Sequence, residues 1–180
     1  KYIENLDDIP HPARHLLPRE SVVSAALCHQ GVPATTIIAS RGCPFSCLYC
    51  ASPRLWRRRV RRHSPEYTIR EVETLVSDYG VKELRFQDDE ANLDKRWLEA
   101  IAPISDLVKW RCNARAELGN WDYLKAAGCY EVGIGVETAS PEAHRLNKGV
   151  SIDKTREGIW GAYKAGLDVR LFFIMGLPYD

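Results

Sequence analysis

The sequence of 180 residues has a single methionine, Met175, and it begins with Lys1 rather than Met. It contains no signal peptide and no apolar run long enough for a membrane helix. Six cysteines are an ordinary number for this length, so the disulfide framework of a small secreted domain is not expected. The net charge of +1 at pH 7 indicates no particular partner. These absences leave a cytoplasmic protein with one sizeable core as the expectation.

Three of the cysteines lie in one short segment, which we call the cysteine loop: Cys43-Pro-Phe-Ser-Cys47-Leu-Tyr-Cys50. Their spacing is C-x3-C-x2-C, with Tyr49 directly before the last thiol. Iron–sulfur clusters are held by Cys thiolates, and a cubane cluster normally takes four. Three ligands in one loop therefore predict a cluster with one iron free of protein ligands. An open position of this kind is typical of catalytic metal centres.

Zinc is the main alternative, because it binds Cys3His sites and His29 and His63 flank the loop. Zinc sites usually come as two C-x2-C pairs or as Cys pairs with His pairs, and neither pattern is present. The five histidines are scattered through the chain. The remaining Cys28, Cys112 and Cys129 are most simply buried small hydrophobic residues.

Strand-like and helical segments alternate after residue 34. The predicted strands are Thr35–Ala39, Leu84–Phe86, Leu107–Cys112, Glu131–Val136 and Val169–Met175. The predicted helix N-caps are Ser64, Asp94, Asn120 and Ser151. Because parallel strands need crossover helices, this alternation predicts an α/β fold with a parallel sheet, doubly wound or curved into a full or partial barrel. In either case the chemistry is expected at the carboxyl ends of the strands.

Three segments resemble the radical S-adenosylmethionine enzymes. The cysteine loop resembles the family's cluster loop, Val132–Ser140 its fourth-strand segment and Phe172–Pro178 its fifth-strand segment. The resemblance implies a partial (β/α)6 TIM-like barrel, truncated after the fifth strand. Residues 34–180 are then expected to be the incomplete core of a longer protein, and residues 1–33 an extended linker or entry segment.

The resemblance also implies a cofactor and its chemistry. Cys43, Cys47 and Cys50 would hold a 4Fe-4S cluster whose open iron chelates S-adenosylmethionine. One electron from the reduced cluster would then split the sulfonium into methionine and a 5′-deoxyadenosyl radical. The backbone of Tyr49 would meet the adenine edge, and Gly176 and Pro178 would lie along the adenine ring.

Polar residues after the other strands are further candidates for contacts with S-adenosylmethionine. In the family, the acidic residue at the position of Glu137 contacts the ribose; a carboxylate that merely lies near the next helix is the alternative. Asp88 and Asp89 would meet the methionyl ammonium, bind a divalent metal, or form a solvated strand end. Arg115 would pair with the methionyl carboxylate or form a surface ion pair with Glu117.

A finer resemblance is to the branch with an upstream cobalamin-binding domain, carried by Leu6–Pro18 and by the arginines of residues 57–61. It implies cobalamin held by a domain absent from this sequence. Methyl transfer to an unactivated carbon is the leading reaction, with radical rearrangement or oxidative cyclisation as alternatives. The implied partners are a small-molecule substrate and a low-potential electron donor such as flavodoxin or ferredoxin.

The basic segment leaves a second class of function open. Its arginines are Arg54, Arg57, Arg58, Arg59, Arg61 and Arg62. Such a run could bind nucleic acid, which would make the chain a zinc- or cluster-stabilised binding module. The chain is nearly neutral, however, and lacks interleaved aromatic residues for base stacking. We therefore expect nucleic acid not to be a partner, and the arginines to be solvated or paired with acidic segments.

Overall fold

The structure is a computed structural model that describes residues 2–23 and 33–177. Its strands are β1 Ala34–Ile37, β2 Ser40–Arg41, β3 Arg61–Arg62, β4 Glu83–Phe86, β5 Lys109–Ala114, β6 Cys129–Glu137 and β7 Asp168–Phe173. Five of them form a wholly parallel sheet in the order β1-β4-β5-β6-β7, and β2 and β3 form an antiparallel ribbon. The five predicted strands and the parallel α/β fold are confirmed.

Helices connect the strands of the parallel sheet, as crossover connections require. They are α1 Arg19–Val22, α2 Ser52–Trp56, α3 Pro65–Tyr79, α4 Lys95–Ala100, α5 Trp121–Ala126, α6 Pro141–Lys148 and α7 Ile152–Lys164. No helix in the described ranges has the length and apolar character needed to cross a membrane.

Three of the predicted N-caps are confirmed, and one is wrong. Ser64, Asp94 and Ser151 each accept a hydrogen bond from a backbone N–H in the first turn of the helix that follows. Asn120 makes no such bond, since it adopts a left-handed φ of 62° and its Nδ2 donates instead to the carbonyl oxygen of Asn92 at 2.9 Å. The left-handed backbone, which differs from the extended one of a usual N-cap, and the bond of Nδ2 to a distant residue explain why no cap bond forms.

The helix-facing side of the sheet forms the hydrophobic core. Leu84, Phe86, Trp110, Val132 and Ile134 are each at most 1% exposed. The Trp110 ring lies 4.6 Å from that of Phe86, and its Nε1 donates to the Ala127 carbonyl oxygen at 2.6 Å. Buried aromatic rings of this size contribute much of a core's stability, and the indole N–H has its partner.

The opposite side of the sheet carries charge. Arg85 is paired in register with Arg111, and Arg111 with Glu131. Arg111 lies 3.6 Å from Glu83 and 3.7 Å from Glu131, and Arg170 lies 3.2 Å from Glu131. Because side chains alternate between faces along a strand, these residues share the face opposite the helices. This face of the sheet therefore carries a layer of ion pairs rather than the branched apolar filling usual in closed TIM barrels.

The segment from residue 2 to residue 23 packs on this sheet-and-helix layer. Where the sequence predicts an extended linker, the structure has short 3-10 turns at Leu6–Asp8 and Arg14–Leu16, followed by α1. Leu6 is 1% exposed, and Arg14 forms a 2.6 Å ion pair with Glu71 of α3. These tertiary contacts determine the conformation of the segment. Its proline content alone does not indicate them.

Candidate functional site

A cavity of about 200 Å³ opens at the carboxyl ends of the parallel strands. Predicted site residues from four separate segments line it: Cys43, Cys47, Tyr49, Cys50, Asp89, Arg115 and Glu137. The structure thus brings the three thiols together with groups at the carboxyl ends of β4, β5 and β6. This is the end of a parallel α/β sheet at which ligands bind.

Backbone geometry fixes the entry to the cysteine loop. Gly42 adopts a φ of 101°, and a Cβ built there would lie 2.0 Å from the carbonyl oxygen of Arg59. Only glycine can occupy this position, because L side chains rarely adopt such a φ and the opposing atom belongs to the backbone. Further along, the backbone N–H of Leu48 donates to Asn147 at the end of α6, at 2.9 Å. The loop is therefore held at both its start and its middle.

The three thiols differ in exposure and in their donors. Cys43 is buried, Cys47 is half-buried and Cys50 is exposed. Burial, with the nearby charges of Glu90 and Asp89, raises the pKa of the Cys43 thiol to about 11. Cys50 Sγ accepts from the backbone N–H of Ser52 at 3.4 Å.

The donor set fits a 4Fe-4S cluster with an open iron. Three cysteines line the cavity, and its described lining includes no fourth Cys and no His. Within residues 2–23 and 33–177, no three His, Cys, Asp or Glu side chains converge on one point as metal ligands. The fit therefore rests on thiol chemistry and the shared cavity.

Of the two histidines in the zinc alternative, His63 makes contacts away from the thiols. Nδ1 of His63 lies 3.0 Å from Asp7 Oδ1, and its ring stacks on Tyr67 with centroids 3.9 Å apart. His63 does not line the thiol cavity. His29 lies outside the described residues.

Asp88 and Asp89, which follow β4, make different contacts. Asp88 is 1% exposed and accepts hydrogen bonds from Ala39 N at 3.1 Å and from the hydroxyl of Ser40. Burial raises the pKa of Asp88, and the Ser40 hydroxyl partly offsets that rise. Asp89 instead lines the cavity, where its Oδ2 accepts from the Ser52 hydroxyl at 3.1 Å. Asp88 therefore ties the end of β4 to the chain between β1 and β2, and the solvated strand end is wrong for it.

Arg115 is buried rather than at the surface. It is 4% exposed, and its guanidinium binds the Glu117 carboxylate. The predicted ion pair is therefore present, but inside the cavity wall. Nη1 of Arg115 also donates to Cys47 Sγ at 3.2 Å, a contact that the sequence did not indicate.

Glu137 ends β6 in an unusual backbone conformation. Its φ is 71°, and its carbonyl oxygen accepts from Ile174 N at 2.8 Å. Gly135 makes room for its side chain, since a Cβ there would lie 2.1 Å from Glu137 Oε1. A non-glycine residue at positive φ is uncommon and often marks a functional position. Gly176 does not line the cavity, and Pro178 lies outside the described residues.

Several residues of the cavity wall were not predicted as site residues: Glu90, Asn113, Gly133, Gly135, Lys148 and Phe172. Gly133, Gly135 and Phe172 lie in the two strand segments that resemble the family. Asn113, Gly133 and Phe172 occupy positions on the face opposite the helices, so the two-residue period of the strands could have indicated them. Lys148 ends α6 and its Nζ donates to the Gly135 carbonyl. No local pattern marks that tertiary contact.

Burial of Glu90 leads to a prediction about stability. Burial raises its pKa from 4.5 to about 8, although Arg115 and Lys148 act in the opposite direction. The folded protein therefore keeps this proton between about pH 4.5 and pH 8, where the unfolded chain releases it. The free energy of unfolding should fall as pH rises through that window, by up to about 1.4 kcal/mol per unit of pKa difference.

Glu90→Gln should remove this loss, because Gln imitates the protonated carboxyl. Denaturant unfolding of the cluster-free protein should show the variant gaining stability over wild type as pH rises through the window. Glu142→Gln, at an exposed position of α6, is the matched control and should follow wild type. Equal pH dependence of Glu90→Gln and wild type would contradict the assignment.

Some arginines of the basic segment make contacts within the chain, although Arg54, Arg57, Arg58 and Arg59 are exposed. Nη1 and Nη2 of Arg59 bind the two carboxylate oxygens of Glu4 at 3.1 and 2.7 Å. Arg62 lies 4.5 Å over the ring of Trp97 and near Asp88. The predicted pairing with acidic residues is confirmed for Arg59.

Comparison with known proteins gives both sequence and structural relatives. The chain is 34% identical over 184 residues to an uncharacterized methyltransferase of Pyrococcus horikoshii, covering 98% of the chain and 39% of that protein. It is 30% identical over 154 residues to the anaerobic magnesium-protoporphyrin IX monomethyl ester cyclase of Cereibacter sphaeroides, covering 78% of the chain and 25% of that protein. The chain thus spans well under half of either relative.

Solved structures share the fold. The cobalamin-dependent S-adenosylmethionine radical enzyme OxsB, with aqua-cobalamin and S-adenosylmethionine bound, superimposes with a TM-score of 0.69 at 22% identity. That similarity covers 81% of this chain and 24% of OxsB. The methyltransferase TsrM from Kitasatospora setae, with cobalamin and a 4Fe-4S cluster bound, gives 0.70 at 19% identity, over 84% of this chain and 33% of TsrM.

The resemblance predicted from the cysteine loop and from β6 and β7 is therefore confirmed, together with the partial-barrel fold. The Radical SAM superfamily matches residues 37–180, which is most of the chain. Members of this family use a 4Fe-4S cluster and S-adenosylmethionine. The chain belongs to the Radical SAM superfamily.

Proposed function

We propose that the chain is the part of a radical SAM enzyme that binds and cleaves S-adenosylmethionine, with Cys43, Cys47 and Cys50 as ligands of a 4Fe-4S cluster. One observation carries the proposal: the three thiols open into the same cavity as Arg115, which follows β5, and Glu137, which ends β6. When bound, the cluster supplies the electron that cleaves the sulfonium. The protein's own contribution is to bind and orient the substrate and to limit access of water.

The cavity wall offers suitable groups for each part of S-adenosylmethionine. Asp89 and Glu90 present carboxyl oxygens, which accept hydrogen bonds from an ammonium group. Lys148 supplies a positive charge for a carboxylate, and Glu137 an acceptor for ribose hydroxyls. Gly133 has no side chain, which lets the Phe172 ring lie against β6 in the cavity wall: a Cβ at Gly133 would be 2.7 Å from that ring.

Tyr49, Gly176 and Pro178 remain the proposed adenine contacts. Tyr49 lines the cavity, and burial together with the charges of Cys47 and Glu137 raises the pKa of its hydroxyl. The phenol is therefore neutral at any working pH. Its ring can pack in the wall while its backbone faces the ligand.

Binding of S-adenosylmethionine tests the proposal. Iron-loaded wild-type protein, prepared without oxygen, should bind S-adenosylmethionine in isothermal titration calorimetry. Glu137→Ala should keep its iron but bind at least tenfold more weakly, because hydrogen bonds to a charged group contribute roughly 1.5–3 kcal/mol. Glu142→Ala, which changes an exposed carboxylate on α6, should bind like wild type.

The titration distinguishes failure of the proposed function from failure of the role of Glu137. Iron-loaded wild-type protein that binds no S-adenosylmethionine would contradict the proposed function. Unchanged affinity in Glu137→Ala would contradict only the role assigned to that carboxylate.

For the reaction itself, we propose methyl transfer with cobalamin held outside this chain. The Pyrococcus horikoshii relative is named a methyltransferase, and the two structural neighbours carry cobalamin. The cyclase among the relatives supports oxidative cyclisation as a second candidate, and radical rearrangement is the remaining alternative. Formation of S-adenosylhomocysteine on incubation with substrate would support methyl transfer.

Radical SAM enzymes need a reductant and a small-molecule substrate. We propose a low-potential donor such as flavodoxin or ferredoxin for the reductant. Five cysteines in the described residues are free thiols, which supports a cytoplasmic setting, where thiols stay reduced. Within the described residues the arginine segment has one ion pair, between Arg59 and Glu4, and we propose no nucleic-acid partner for it.

A further inference from the structure

The three thiols of the cysteine loop receive unequal hydrogen bonds. Cys50 Sγ accepts from the backbone N–H of Ser52 at 3.4 Å. Burial raises the pKa of the Cys43 thiol, and the backbone N–H of Phe45 lowers it in part. The Tyr49 hydroxyl is a neutral hydrogen-bond partner of Cys47. Cys47 Sγ alone, within the described residues, accepts from a charged side chain, Nη1 of Arg115 at 3.2 Å. A guanidinium donor places a full positive charge beside one sulfur only.

The guanidinium of Arg115 is held in place from several directions. It lies 3.8 Å over the ring of Phe45, which belongs to the cysteine loop itself. Its Nε donates to Glu117 Oε1 at 2.5 Å, and its Nη2 binds the same carboxylate and the Lys148 carbonyl, the latter at 3.4 Å. Orientation toward Cys47 therefore exists before any ligand arrives.

The backbone of Arg115 is fixed as well. Its N–H donates to Asn92 Oδ1 at 3.1 Å, and its carbonyl oxygen accepts from Asn92 Nδ2 at 2.8 Å. Asn92 is fully buried, so this two-point contact is shielded from water. A residue clamped at backbone and side chain loses little entropy when it holds a sulfur in place.

Few donors remain free for another partner. A guanidinium has five N–H groups. Two contacts go to Glu117, one to the Lys148 carbonyl and one to Cys47, which leaves a single N–H on Nη1. Bidentate binding of a methionyl carboxylate would require breaking one of these contacts.

We propose that Arg115 is a positioning residue for Cys47, whose hydrogen bond to the sulfur raises the reduction potential of the bound cluster. This inference rests on the proposed function. Donors to ligand sulfur stabilise negative charge, and the reduced cluster carries more of it than the oxidised one. Removing the donor should therefore make the cluster harder to reduce.

The test is the midpoint potential of the reconstituted cluster, followed by electron paramagnetic resonance without S-adenosylmethionine. Arg115→Gln should bind iron like wild type but show a more negative potential. Arg115→Lys keeps the positive charge but lacks the planar guanidinium, so its midpoint potential should lie between those of wild type and Arg115→Gln. Arg58→Gln removes a charge from an exposed arginine that donates to Pro44 in the same loop, and it should leave the potential unchanged.

If Arg115→Gln fails to take up iron, the midpoint potential can be measured in Glu117→Gln instead. This variant keeps Arg115 but removes the charge that holds its guanidinium, so the potential should become more negative, by less than in Arg115→Gln. An unchanged potential in the iron-loaded arginine variant, or in Glu117→Gln if that is the one measured, would overturn the inference while leaving the proposed function intact. Wild-type protein that assembles no cluster would overturn both.

Discussion

Replacing Cys43, Cys47 or Cys50 singly by alanine is expected to abolish cluster binding, and with it all cleavage of S-adenosylmethionine. Three thiolates are the smallest set that holds a cubane while leaving one iron open. Two remaining thiols cannot do so, because the described cavity wall has no fourth Cys or His as a substitute. Iron and acid-labile sulfide per chain, after reconstitution without oxygen, are the measurements.

Two other cysteines provide matched controls. Cys112 on β5 and Cys129 on β6 are buried in the hydrophobic core, away from the cavity lining. Their alanine variants should lose some folding stability, as core truncations do, and still take up the full complement of iron. Full iron loading in a loop variant, or loss of iron in both controls, would contradict the assignment of the ligands.

Gly42→Ala is expected to have the second large effect, on the fold around the cysteine loop. The new methyl group would lie 2.0 Å from the Arg59 carbonyl oxygen, so β2 and β3 would have to separate. Left-handed strain of roughly 1–2 kcal/mol adds to an overpacking cost of roughly 1–3 kcal/mol. The free energy of unfolding should fall by about 3 kcal/mol, and iron loading should fall because Cys43 is the next residue.

Gly80→Ala introduces the backbone strain of a positive φ without a steric clash, so it serves as the control for Gly42→Ala. Gly80 has a φ of 67°, and a Cβ there would meet only the flexible end of Arg19, at 3.5 Å. The free energy of unfolding of this variant should fall only by the strain of about 1–2 kcal/mol, and its iron loading should stay unchanged. If denaturant unfolding shows equal losses for the two variants, the clash between Gly42 and Arg59 does not govern the loop.

Much of the fold follows from local sequence patterns. β-branched runs such as the one in β1 mark the strands, and Ser64 marks the start of α3 with its side-chain cap. These features act over a few residues, so a sequence shows them directly. Asn120 differs because its backbone is left-handed and its Nδ2 donates to the carbonyl oxygen of Asn92, which is 28 residues away in the chain.

The site could be predicted only in outline, because its details are tertiary. The spacing of the cysteine loop is evident in the sequence. The different contacts of Asp88 and Asp89 are not, because they depend on the direction of each side chain at the end of β4. Lys148 lines the cavity from the end of α6, where its Nζ donates to the Gly135 carbonyl of β6. The bond between Arg115 and Cys47 joins residues 68 positions apart.

Reductive cleavage of S-adenosylmethionine tests the central claim most directly. Iron-loaded protein, reduced with dithionite in the absence of oxygen, should convert S-adenosylmethionine to methionine and 5′-deoxyadenosine, and the alanine variants of Cys43, Cys47 and Cys50 should not. A colourless protein that takes up zinc in place of an iron–sulfur cluster, and forms no 5′-deoxyadenosine, would contradict the account.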